Sequence, residues 1–306
     1  PTDSIKPSNV FMLGEVIVTN HQNKDTLNRV TSKTMVSQNK MDVSRALNML
    51  PGITLTASGP RNESMVSVRG FDLRQVPVYM DGIPVYVPYD GYVDLARFTT
   101  FDLAAIDVSK GFSSVLYGPN SLGGAINLVS RKPSQKLEYD GSLGMINQNG
   151  YKGNINIGSK IGQFYFQGGF SYLDRNSTRM SSNFVPTANE NGGQRDNSYR
   201  TDQKISFKIG WTPTEKSEYA IGYINQQSEK GNPVYTGSDP LNSLLLKPRY
   251  WQWPNWDKES FYFISNSNFD NKNSLKTRLY FDRFKNTLDS YDDATYTKQT
   301  KPYAFQ

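Results

Sequence analysis

The chain has 306 residues, enough for one large domain or two of average size, yet only 36% are hydrophobic while 13% are aromatic, with 19 Tyr and 16 Phe. That mix suits many strands with one apolar and one polar face, and no run approaches the roughly 18 consecutive apolar residues of a membrane-crossing helix. With no Cys and a single histidine, His21, disulfides and thiolate chemistry are excluded and imidazole sites lack ligands, while the +6 net charge, scattered over 34 basic and 28 acidic residues, forms no nucleic-acid stripe.

Residues 1–23 are polar and Pro-containing, apart from one alternating patch, Glu15-Val16-Ile17-Val18-Thr19. They read as a flexible tail carrying a short extended segment. The chain opens at Pro1 without a basic-then-apolar leader, so any signal peptide is expected to have been removed. His21, between Asn20 and Gln22, reads as a solvated side chain.

Residues 24–132 read as a compact mixed domain. Val43, Ala46, Leu47 and Leu50 recur at helical spacing, and Pro51-Gly52 then ends the helix. Short β runs follow at Ile53–Thr56, Met65–Arg69, Val76–Met80, Ile106–Ser109 and Ala125–Ser130, separated by Gly, Pro and Asp turn signals. The spacing from Gly118 to Gly123 imitates a phosphate loop, but no Lys-Ser/Thr follows it, which speaks against a nucleotide site.

From Leu137 onward a two-residue rhythm takes over. Leu137, Tyr139, Leu143 and Met145 alternate with Glu138, Asp140 and Ser142; Ile205, Phe207, Ile209 and Trp211 alternate with Lys204, Ser206 and Lys208. Related segments lie at Tyr151–Lys160, Ile161–Asp174, around Tyr219–Tyr223, at Glu259–Asp270 and around Leu275–Phe281, making about seven candidate strands. The links alternate too. They are short around Gly162, Pro213–Glu215 and Asn271–Asn273, and long over Arg175–Tyr199, Gly231–Asp257 and from Asn286 onward, with a brief exception near Asn149.

Tight turns at one end and long loops at the other are the pattern of an outer-membrane β-barrel. A soluble sandwich also has one wet and one packed face. The strand lengths, the one-sided loops and aromatics near strand ends (Tyr151, Tyr172, Trp211) favour the barrel. The Trp-rich run Tyr250–Trp256 fits either a girdle at the membrane surface or a cap over an inner vestibule.

Six motifs in order over about a hundred residues resemble the plug domain of TonB-dependent outer-membrane receptors. Glu15–Thr19 resembles the TonB box, Val43–Ile53 the helix and "LPG" turn, Val68-Arg69-Gly70-Phe71 the "RG" strand, and Asp81-Gly82-Ile83-Pro84 the "DGIP" turn. Ile106–Asn127 resembles the long signature near the plug's end, and Ser130-Arg131-Lys132-Pro133 leads into the barrel. Where the family commonly has Arg-Gly, this chain has Lys110-Gly111, which keeps the charge and loses the bidentate fork.

The resemblance implies an all-β transmembrane barrel of about 22 strands when complete, with an N-terminal α+β plug in its lumen. This chain would then comprise a periplasmic tail (1–23), the plug (24–132) and about seven strands in 137–306, the N-terminal part of a longer receptor. It implies active import of a scarce small ligand, such as a ferric siderophore or other metal chelate, across the bacterial outer membrane. Partners would be TonB, docking on Glu15, Val16, Ile17, Val18 and Thr19, and membrane lipid, with no nucleic acid. Arg61, Asn62, Tyr86, Tyr89 and Tyr92 in two plug loops are candidate ligand contacts, with packing on the barrel interior as the competing role for the tyrosines. Arg69 and Lys110 are candidate ties between plug and barrel wall, Arg69 through wall carboxylates, with an ordinary surface ion pair as its alternative. A passive porin or adhesin, and import of cobalamin or an oligosaccharide, remain as alternatives. No nucleophile–base or paired-carboxylate constellation stands out, so no catalytic residue, cofactor or resident metal is expected, and Asp292-Asp293 reads as a solvated loop pair.

Overall fold

The computed structural model describes residues 28–58, 62–85, 87, 91–111, 120–146, 150–237, 239, 241–269, 273–297 and 303–305. The first region builds a small sheet with two short helices. Strand β1 (Arg29–Thr31) leads into α1 (Ser32–Ser37), and α2 (Val43–Leu47) follows. The Thr31 and Asp42 side chains cap the two helices by accepting from the main-chain N–H groups of Thr34 and Arg45. Helical spacing buries Val43, Ala46 and Leu47, with Leu50 beside them, and the chain turns out at Gly52 with φ +75°.

Next come the hairpin of β2 (Ile53–Ser58) and β3 (Glu63–Val68), then β4 (Val78–Met80), β5 (Ile83–Pro84), β6 (Leu103–Lys110) and β7 (Gly124–Ser130). The sheet order is β1-β6-β7-β4-β5, with β4 parallel to β7. Val66, Val68, Leu95, Leu103, Ile106, Ile126 and Leu128 fill the core under it.

The second region is a single antiparallel meander. It contains β8 (Glu138–Ile146), β9 (Gly150–Ile161), β10 (Phe164–Arg175), β13 (Arg200–Thr214), β14 (Ser217–Asn232), β15 (Tyr250–Asn268), β16 (Ser274–Tyr291) and the short β17 (Tyr303–Phe305). The pair β11 (Thr178–Arg179) and β12 (Gln194–Arg195) forms a small hairpin in the loop after β10, and helix α3 (Ser243–Leu246) lies in the loop after β14. The eight meander strands pair in sequence order into one sheet, with β8 and β17 at its edges.

This sheet is inverted relative to a soluble protein. Phe207 and Ile209 are 38% and 39% exposed on the outer face, while Lys204 and Lys230 on the inner face are 1% and 2% exposed. A sandwich would bury the first pair between stacked sheets, so the alternation is that of a wall with lipid outside and a filled polar lumen inside. Aromatic stacks occupy both ends: Phe164, Trp211 and Tyr219 at the short-turn end, Tyr151 on Tyr172 toward the long loops.

The wall differs from the sequence reading in two places: where a link was expected from Asn286 onward, β16 runs on to Tyr291 and β17 adds an eighth strand, and the preceding link is shorter. The link expected over Gly231–Asp257 shrinks to residues 233–249, because Tyr250–Asp257 continues β15 opposite β16. Register shifts lie between Gln226 and Lys230 on β14 and between Gln252 and Asn255 on β15. Pro254 sits in the second, where a missing N–H breaks no regular ladder bond. The bulge also lets Trp253 and Trp256, three residues apart, both be buried, so the two-residue rhythm that marks the other strands is lost. These tryptophans belong to the inside of the wall rather than to the girdle.

At about 3.3 Å per residue and 45° tilt, the 19 residues of β15 rise about 45 Å, beyond an apolar band about 25 Å tall. Inside, Tyr262 lies flat on the neighbouring strand at Gly222, where an added Cβ would sit 2.1 Å from the ring. Replacing Phe207 by Lys should destabilise the barrel by about 2–4 kcal/mol if it sits near the bilayer midplane. Urea unfolding of the full-length receptor in liposomes measures this; an unchanged midpoint would mean that this face does not meet lipid.

Candidate functional site: the plug–wall interface

Period two sends Asp202, Lys204 and Lys208 of β13 inward, and Glu218, Gln226 and Lys230 of β14 likewise. Each meets a partner on the plug or the segment leaving it. At the long-loop end, Lys230 donates to Asp94 (2.9 Å) and to the carbonyl of Asn62 (2.8 Å). Arg97 bridges the two bodies, donating to Asp94 (3.2 Å) and to Asp202 on the wall (3.0 Å). Arg200 donates to Asp202 and to the carbonyl of Ala96, and Gln226 to the carbonyl of Arg97.

Midway, Lys204 pairs with Asp102 at 2.8 Å, both nearly fully buried. Toward the short-turn end, Lys208 lies 3.7 Å from Asp81 and donates to Ser130. Asp81 opens the Asp-Gly turn of β4 and β5, whose Gly82 has φ +78° and a crowding Arg278 2.7 Å from where a Cβ would stand. Below this, Lys132 and Tyr165 both donate to Glu218, at 2.8 Å each. The ladder thus runs the depth of the wall.

Its electrostatic sense is mostly the reverse of the one read for Arg69: wall cations meet plug carboxylates in Lys204–Asp102, Lys208–Asp81 and Lys230–Asp94, while Arg97–Asp202 and Lys132–Glu218 follow the expected order. Burial alone would raise the Asp94 carboxyl, but Lys230, Arg97 and the Ser64 amide outweigh it and hold Asp94 below the usual carboxylate range.

The expected site residues fall in different places. Asn62, at φ +51°, donates from Nδ2 to the carbonyl of Gly231 (3.1 Å), so it touches the wall. Tyr92 donates to Asp72 (3.2 Å) under the Arg74 guanidinium (4.9 Å from the ring) and packs against the plug core. The Arg74 hydrogen bond holds the Asp72 carboxyl down. Arg69 is exposed in a turn with φ +50°, its main-chain N–H donating to the carbonyl of Gly52. Lys110 ends β6 opposite Gly124. Glu15, Val16, Ile17, Val18, Thr19, Arg61, Tyr86 and Tyr89 lie outside the described residues.

Sequence reasoning placed Lys204 and Lys208 on the polar face but named none of the ladder as ties. The available signal was a basic residue recurring at period two on the face that turns away from lipid. At the rim, Lys230 lies 4.9 Å from the Trp253 ring and Arg249 4.5 Å from that of Trp251, with Tyr250, Tyr291 and Tyr296 edge to face beside them.

Asp94→Asn should destabilise plug docking by about 3–5 kcal/mol, because Lys230 and Arg97 stay buried with less compensation. Asp94→Leu with Lys230→Met should restore much of it. Because the folded carboxyl is depressed, its contribution is complete above about pH 4 and is lost as pH falls further. Limited proteolysis of the plug in the full-length receptor across pH 3–7 reads both effects, and an unaltered cleavage rate in Asp94→Asn contradicts them.

Residues 21–125 match the model of the TonB-dependent Receptor Plug Domain family. The chain is 27% identical over 164 residues to transferrin-binding protein A of Haemophilus influenzae, covering 48% of this chain and 18% of that protein. It is 22% identical over 230 residues to the vitamin B12 transporter BtuB of Vibrio vulnificus, covering 70% of this chain and 36% of that one. Its fold superposes on Pseudomonas aeruginosa FpvA with a TM-score of 0.68 at 19% identity, covering 87% of this chain and 35% of FpvA. The chain therefore spans about a third or less of the length of these relatives. Plug motifs, an inverted wall docked on them and these matches agree that the chain carries a TonB-dependent receptor plug domain over residues 21–125, followed by strands with the fold of an outer-membrane barrel.

Proposed function

We propose that the receptor containing this chain imports a small metal chelate of the ferric-siderophore type across the outer membrane, driven by TonB. The observation that carries this reading is the buried ladder of Lys204–Asp102, Lys208–Asp81 and Lys230–Asp94. A lumen filled by a domain held this way offers no free diffusion path along that wall. A passive porin has no use for such a lock, whereas an importer driven from the inner membrane needs a seal that opens only under work.

The class of cargo draws on relatives. FpvA is bound to pyoverdines with iron, and Acinetobacter baumannii PirA is described as a siderophore receptor. The aromatic and basic rim of Arg249 and Trp251 suits a rigid anionic chelate. Arg61, Tyr86, Tyr89 and Tyr92 are proposed to face the cargo from the plug side, and Arg69 and Lys110 to add ties between plug and barrel. Val16, Ile17 and Val18 are β-formers suited to adding a strand to the edge of TonB, so that main-chain hydrogen bonds bear the pull.

Val16→Pro should abolish uptake while leaving cargo affinity at the cell surface intact. The paired measurement is accumulation of iron-loaded chelates from a panel, by cells expressing the full-length receptor, against equilibrium binding to de-energised cells. Uptake that persists without the proton-motive force would favour a passive pore, and lost affinity would contradict the coupling role of residues 15–19.

A further inference from the structure

The outer face of the wall carries two cavities on the same strands. Register sets Phe207, Tyr223, Phe261 and Phe281 side by side in one row across β13–β16, with the Tyr223 and Phe261 rings 4.5 Å apart. A groove of about 550 Å³ runs along this row, with Ile221 and Phe263 also in its lining. Nearer the long loops a second cavity, of about 300 Å³, is polar: Thr201, Gln203, Gln227, Glu229, Asn255 and Asp257 line it. The Tyr223 hydroxyl donates to Glu259 at 2.9 Å, and Glu259 lies on β15 between the two cavities.

The polar cavity is a product of the bulge in β15. From Gln226 to Lys230 β14 takes four steps where β15, from Lys258 to Trp253, takes five. Against β16, β15 takes three steps from Gln252 to Asn255 where its partner takes two. One extra residue thus parts β15 from both neighbours, a device that re-aims side chains. Asn255 Nδ2 and the Ser228 main-chain N–H donate to Asp257, at 3.2 and 3.4 Å, and hold its carboxylate at the cavity. The three strands that build this cavity, β13, β14 and β15, are each paired on both sides, so no further strand can enter it.

Height separates the two. Phe207 and Tyr223 stand seven and six residues from the short-turn ends of their strands, Gln203 and Gln227 eleven and ten. At about 3.3 Å per residue and 45° tilt, the rings lie about 14–16 Å and the amides about 23–26 Å above that end. An apolar band about 25 Å tall therefore ends where the polar cavity begins, on the side of the long extracellular loops.

We propose that this face binds a lipid with a saccharide headgroup, its acyl chain in the aromatic groove and its sugar in the bulge cavity. Sugar hydroxyls donate to Glu229 and Asp257 and also accept from the amides of Gln203, Gln227 and Asn255. A phosphate headgroup would meet two carboxylates there and no Lys or Arg among the lining residues. The site is independent of any cargo, since it lies on the opposite side of the wall from the plug.

The test offers the full-length receptor, in polyoxyethylene detergent micelles, equal amounts of a diglucosyl diacylglycerol, a phosphatidylglycerol and a phosphatidylethanolamine with the same acyl chains. Native mass spectrometry counts the lipid retained. The glycolipid should exceed each phospholipid at least about five-fold, the equivalent of one or two net hydrogen bonds. Gln203→Ala with Gln227→Ala should bring the ratios near one, and Ile221→Trp, which fills the groove, should lower the binding of all three lipids. Heat-modifiable migration on a gel checks that each variant keeps its barrel. Equal retention of the three lipids by the unaltered receptor, or an excess of either phospholipid, overturns the proposal. So does a glycolipid preference that survives the paired glutamine changes in a folded barrel, or a receptor dimer that retains no lipid, which would mean that a second copy covers this face.

Discussion

A wall one sheet thick, with hydrocarbon on one side, accepts charge on its other side only, and there each charge needs a counter-charge. That constraint organises the molecule. Lys204 and Lys208 are placed inside by the same alternation that puts Ile205, Phe207 and Ile209 against lipid, and they become tolerable because Asp102 and Asp81 arrive on the plug. Neither body is electrostatically complete alone. The plug supplies carboxylates that would be costly to bury unpaired, and the wall supplies ammonium groups that would otherwise draw water into the lumen.

Much of the architecture was legible in the amino-acid order because it is written at short range. Val43, Ala46 and Leu47 share a helix face, Pro51-Gly52 ends it, and strict alternation over Arg200–Thr212 fixes both the strand and its lipid face. What escaped was whatever interrupts that rhythm or depends on distant partners. The beginning of β15 was hidden because its bulge brings Trp253 and Trp256 inward at a spacing that matches no simple period. The ladder was hidden for a different reason: a lysine on an inward face says that a carboxylate must come, but not that Asp102 rather than Asp107 is the one that reaches it. Asn62 was picked out as a loop residue near the cargo, and its amide and carbonyl turn out to touch Gly231 and Lys230 on the wall.

The plug's contacts to the wall strands differ in kind. Where Arg97, Lys204, Lys208 and Lys230 engage, separation exposes several buried charges at once; beside β8–β10 the partly exposed pair of Arg131 and Asp140 is accompanied by neutral or singly charged hydrogen bonds.

Trp256 carries one more implication. It belongs to the wall, yet it is buried in the plug's own core, edge to face with Phe98 at 5.8 Å and with Phe284 of β16 at 5.1 Å. The interior of the domain made first by the ribosome thus includes a side chain made more than a hundred residues later. Stopper and cylinder share one interior at this point, and the last ring in it comes from the cylinder.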